Sequence, residues 1–81
     1  MAPEINIRQA TSRDAFALRR LAALDDRPAL KGNVLVAEEA GELRAAISLE
    51  NGRVVANPFA RTADLVDMLR VHRGHAASVA A

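Results

Sequence analysis

The chain has 81 residues, 51% of them apolar, and its 11 Lys and Arg nearly balance 10 Asp and Glu to give a net charge of +1. That length suits one small domain over residues 1–81 and is too short for two, while the balanced charge and the lack of basic residues interleaved with aromatics argue against nucleic acid as a partner. The absence of cysteine excludes disulfides, zinc–thiolate sites and thiol catalysis, and no window approaches the roughly 18 apolar residues of a membrane span.

Ile5 and Ile7 alternate with Asn6 and Arg8, which predicts a short first strand. Thr11-Ser12-Arg13-Asp14 then reads as a capping box, with Thr11 as the N-cap and Asp14 at the third helical position. The helix beyond it sets Ala17, Leu18, Leu21 and Leu24 or Asp25 along one stripe, with Arg13 and Arg20 pointing away. Asp25-Asp26-Arg27-Pro28 ends it, since proline cannot continue the hydrogen-bond ladder.

Val34 to Ala37 is the predicted second strand, followed by a turn over Glu39-Ala40-Gly41-Glu42 with Gly41 at positive φ. Leu43 to Leu49 is the third. Asn51-Gly52 fits a two-residue type I′ hairpin, which would set Leu49 opposite Val54, Ser48 opposite Val55 and Ile47 opposite Ala56. Alternation then gives one face to Leu43, Ala45, Ile47, Leu49, Val54 and Ala56. The other carries Arg44, Ala46, Ser48, Glu50, Arg53, Val55 and Asn57 and is free for water or a partner.

A second helix begins near Thr62, buries Leu65, Val66 and Leu69, and is ended by Gly74, so that residues 75–81 form a frayed tail. The fold expected is α/β of the α+β type: β-α-β-β-β-α, a four-stranded, mainly antiparallel sheet with both helices able to cover one face. Only Phe16 and Phe59 are aromatic, and alanine, leucine and valine must build a thin core. A core of that kind makes self-association a natural source of further burial.

Few residues carry chemistry. His72 and His75 would suit metal ligands on one helix face, but Gly74 lies between them and no further ligands complete a set, so no metal is expected. Ser12 and Ser48 have no histidine at a triad spacing. Asp25-Asp26 sits at a helix C-terminus, where negative charge suits solvation better than stability. Glu38, on a strand, is the one isolated candidate for a general base. Phe59 fits a plug between sheet and helix, or else an interface anchor.

The segment VVANPFARTADLVDMLR runs from a strand into a helix, the place where many α/β proteins bind phosphate. Its junction holds Pro58, Phe59, Ala60 and Arg61 and no glycine, although a backbone wrapped around pyrophosphate needs a position without a Cβ.

INIRQATSRDAFALRRLAALD followed by VLVAEEAGELRAAISLENGRVVANPF resembles the N-terminal half of the GNAT superfamily of N-acetyltransferases, whose members open with "IR-A---D---L--L" and continue with "VAE--G--VA". The resemblance implies a fourth strand leading to a Gln/Arg-x-x-Gly-x-Gly/Ala loop for the pyrophosphate of acetyl-coenzyme A. Here Pro58, Arg61 and Ala63 take those places, and only Ala63 matches. The family's fifth strand, splayed from the fourth to admit the pantetheine arm, has no counterpart in this sequence, and neither does its tyrosine acid. The resemblance therefore implies a truncated half-domain that has lost catalysis: an interaction or regulatory domain that binds itself or a protein partner, with no cofactor. A cytoplasmic location is expected because MAPEINIRQA has neither the basic region nor the apolar stretch of a signal peptide. The alternative is an acyl-CoA-dependent N-acetyltransferase assembled as a dimer, with acetyl-coenzyme A held by Arg61, Thr62 and Ala63. The edge of the fourth strand, through Arg53, Val55, Asn57 and Phe59, is the expected interface.

Overall fold

Four strands pair as an antiparallel meander in the spatial order β1-β2-β3-β4 in the computed structural model, which describes residues 4–80, with side chains through residue 75. The elements are β1 (Ile5–Gln9), α1 (Ala15–Leu24), β2 (Val34–Glu39), β3 (Glu42–Ser48), β4 (Val54–Ala56) and α2 (Ala63–Ala80). This is the β-α-β-β-β-α order read from the sequence. Among the described residues, no helix is long and apolar enough to cross a membrane.

The helices do not share a face. Leu18, Leu21 and Ala22 of α1 pack with Val34, Val36, Ala46 and Val55, whereas Leu65 and Leu69 of α2 pack with Ala37, Ala45 and Ile47. The face expected to stay open for water or a partner thus lies under α1, and Ala46, Ser48 and Val55 on it are buried. The cause is visible in the runs Val34-Leu35-Val36-Ala37 and Ala45-Ala46-Ile47, which are apolar on both sides of the pleat. Such strands need cover on both faces.

The capping box forms as predicted, on a 3-10 turn (Ser12–Asp14) that leads into α1. Thr11 N–H donates to the Asp14 carboxylate at 2.7 Å, and the Thr11 hydroxyl accepts from Arg13 N–H. At the other end, Asp26 adopts a left-handed φ of 51°. Arg27 N–H then reaches Ala22 C=O at 2.9 Å and Asp26 N–H reaches Ala23 C=O at 3.2 Å. These two bonds close a Schellman cap, so α1 has already ended before Pro28.

The type I′ geometry belongs to the first hairpin. Ala40 (φ 52°) and Gly41 (φ 82°) are the two turn residues between Glu39 and Glu42, which pair directly. The second hairpin is wider, with Ile47 opposite Val54 and Ala46 opposite Val55. Local hydrogen bonds displaced the tight turn: Ser48 Oγ accepts from Glu50 and Asn51 N–H, and Gly52 N–H reaches Ser48 C=O. An irregularity after Ala37 pairs Glu38 with Leu43, so Leu43 leaves the Ile47 face and packs against the α1-side cluster.

α2 passes through Gly74 to Ala80, contrary to the stop expected at Gly74, and Ala81 lies outside the described residues. A mid-helix glycine costs about 1 kcal/mol, which tertiary contacts can offset. One of those contacts is visible, because the Arg73 guanidinium donates through Nε to Ser48 C=O at 3.1 Å and covers the second hairpin loop.

Candidate functional site

A cleft of about 380 Å³ opens between α1 and the β2–β3 hairpin, with Arg8, Asp14 and Glu38 in its wall beside Leu21, Leu24 and Leu43. Strand alternation turns Arg8 towards α1, where Asp14 waits at the helix entrance. The Arg8 guanidinium donates to both oxygens of Asp14, at 2.8 and 2.9 Å, and through Nε to Glu38. Asp14 is 8% exposed. Its carboxyl is held well below the usual range, first by the Arg8 hydrogen bonds and then by Thr11 N–H, against the opposing effect of burial. The Arg8 guanidinium is correspondingly held above its ordinary value by Asp14 and then Glu38.

Glu38 therefore meets a fixed cation. A general base gains strength where its charge is unpaired, and here the Glu38 carboxylate is paired through Oε1 with the Arg8 cation. The arrangement acts as an ion-pair buttress tying β1, β2 and the capping turn together. Sequence reading singled out Glu38 and missed Arg8 as its partner. Alternation does place Arg8 on the face opposite Ile5 and Ile7, but only the fold shows that α1 covers that side.

The second place of interest is β4. Ser48 N–H donates to Arg53 C=O at 2.8 Å and Asn57 N–H donates to Arg44 C=O at 2.9 Å. With Ala46 opposite Val55 between them, the alternation of an antiparallel ladder turns the polar groups of Val54 and Ala56 away from β3. Ala56 N–H donates to the Asp25 carboxylate at 3.1 Å, and the Arg27 guanidinium forms an ion pair with that same Asp25 oxygen at 3.2 Å. The acidic end of α1 is thus not merely solvated: it caps an edge amide. Val55, expected at the interface, is 1% exposed and belongs to the core under α1. Arg53 is exposed and Asn57 half-buried.

Asn57 governs the junction that follows. Its side-chain oxygen accepts from Phe59 N–H at 2.8 Å and its carbonyl accepts from Ala60 N–H at 3.3 Å, with Pro58 between them. This Asx turn throws Phe59 outward to 83% exposure, so it is not the plug between sheet and helix. The Asn-Pro pair was the overlooked turn signal. Arg61 is exposed, Thr62 C=O accepts the first helical bond from Val66 N–H, and Ala63 opens α2. Those three residues lie at the start of α2, and none of them lines the cleft that holds Glu38. His72 bonds through Nδ1 to Met68 C=O, and among the described residues no group of three or more His, Cys, Asp or Glu could hold a metal.

A shallow groove runs along the β4 edge, bordered by Asp25, Arg27, Arg53, Val54, Ala56 and Arg70. It can offer backbone hydrogen bonds flanked by cations. In comparison with known proteins, no family model matches this sequence, and neither a curated protein nor a solved structure matches it.

Proposed function

We propose that this chain is a non-catalytic protein-interaction domain, on a half-domain framework of the GNAT type, and that β4 is its binding edge. The observation that carries the reading is the state of β4. It is an outer strand whose Val54 N–H, Val54 C=O and Ala56 C=O point away from the sheet. Open edges of this kind template the addition of another strand.

Two features weigh against the alternative, an N-acetyltransferase using acetyl-coenzyme A. Phe59 and Ala60 N–H already bond to Asn57, and Pro58 has no N–H, so the only run of amides left at the junction is the first turn of α2, where the Asp64 carboxylate opposes a pyrophosphate. Glu38, the candidate base, is engaged by Arg8.

The test is titration of the intact chain with acetyl-coenzyme A, followed by amide NMR. The expected result is no saturable shift over residues 56–63, together with rapid hydrogen exchange at the Val54 amide. Saturable micromolar binding with shifts over those residues would replace this reading by the enzyme.

A further inference from the structure

We infer that the strand accepted by β4 is acidic: an extended segment of another protein, carrying carboxylates on successive residues, adds to the β4 edge as a fifth strand. This rests on the interaction-domain reading and names the chemistry of the partner.

The cations around the groove lie on both sides of the sheet. Arg53 shares the α1 side with Val55 by strand alternation, and Arg27 follows α1 directly, whereas Arg70 projects from α2 on the opposite face. Side chains of an added strand alternate between those two sides, so carboxylates on successive residues reach both sets. Arg53 forms no ion pair among the described residues. The nearest carboxylate to Arg70 is Asp67 at 4.0 Å, between two side chains that are mostly in solvent. The groove's acidic member, Asp25, is already committed to Ala56 N–H and Arg27. Its position shows what this edge takes as a ligand, because a carboxylate already occupies one of the outward amides.

A second copy of the chain fits less well. The β4 segment of a second copy, Arg53-Val54-Val55-Ala56-Asn57, carries no carboxylate to set against Arg53 and Arg70. An acidic segment makes the same backbone bonds and neutralises those groups. The strand added is short, because β4 spans Val54–Ala56 and Pro58 offers no amide beyond Asn57. Charge therefore contributes much of the recognition, and binding weakens as salt rises.

The test uses three fluorescein-labelled peptides of equal length: one alternating valine with paired aspartate and glutamate, one with asparagine and glutamine in their place, and one with lysine. Binding to the intact chain is read by anisotropy and by hydrogen exchange at the Val54 amide. The acidic peptide is expected to bind saturably and to slow exchange at Val54. Its affinity should fall roughly tenfold or more in the double variant Arg53→Glu, Arg70→Glu. Val54→Pro, which removes an outward amide, should weaken it comparably, and the charge variant keeps the question open if the proline variant does not fold. Equal protection of Val54 by the neutral or lysine peptide would overturn the acidic partner while leaving the interaction domain intact. Binding of the acidic peptide without protection at Val54 would overturn strand addition, and so would a dimer of the chain itself that protects that amide. If no peptide protects the edge and acetyl-coenzyme A shifts residues 56–63, the underlying reading fails as well.

Discussion

Arg8 is 34% exposed along its side chain, yet it organises the most buried charge among the described residues. Its fork on Asp14 has a consequence for acid stability. The Asp14 carboxyl is held below its unfolded value, so its contribution is complete above the unfolded range, about pH 4, and disappears as pH falls through the lower folded value. Asp14→Asn should cost about 1–2 kcal/mol at neutral pH, after allowing for the solvent that reaches Arg8. In urea melts followed by circular dichroism, the gap between wild type and Asp14→Asn should narrow steadily from about pH 5 towards pH 2. A gap independent of pH would mean that the amide loses packing or the cap, not the charge pair. Asp25 and Asp26 illustrate a different use of the same side chain. One caps an edge amide of β4, while the other takes the left-handed position that asparagine, aspartate and glycine tolerate best.

Turns and helix ends are where local chemistry and sequence reading part company. The strands, both helices and the capping box were legible from period and capping residues, because Ile5 to Arg8 alternates and Thr11-Ser12-Arg13-Asp14 has its partners at fixed offsets. The second hairpin was not, since the hydroxyl of Ser48 draws the loop open from outside the Asn51-Gly52 pair. That error displaced the register by two residues, and side chains alternate with period two, so Ala45, Ile47, Val54 and Ala56 still share a face. Leu43 changed sides, by an irregularity that no local pattern announces, and Leu49 lies in the turn beyond β3. The first hairpin sets Ala40 at a φ of 52°, where a Cβ is crowded. Ala40→Gly should therefore raise stability by about 0.5–1 kcal/mol despite the freedom glycine gains in the unfolded chain. Gly74 poses the reverse case, lying inside α2 with no described atom beyond its chain neighbours and the helix's own backbone within 4 Å of where a Cβ would stand. Gly74→Ala should stabilise by about 0.5–1 kcal/mol, read as a rise of several degrees in thermal midpoint. A helix that truly ended at Gly74 in a left-handed cap would lose stability instead.

At the scale of the whole chain, one thin sheet serves two cores. Val36 and Ala46 look towards α1 while their neighbours Ala37, Ala45 and Ile47 look towards α2, so each central strand contributes to both clusters. This is why the placement of the helices escaped the sequence: binary patterning assigns a strand to a face only when its other face is polar, and these runs are apolar on both. It also implies that the two faces stand or fall together. Leu21 is 2% exposed on the α1 side and Leu69 is fully buried on the α2 side. Truncating either to alanine should cost about 2–5 kcal/mol, a large part of the stability of a domain this small. Both variants should lower a single urea transition, with the amides of Ala46 and Ile47 losing protection in parallel whichever helix is cut. Should Leu69→Ala strip protection from α2 while Ala46 exchanges as in wild type, α2 would be a separately detachable layer and the sheet would owe its order to α1 alone.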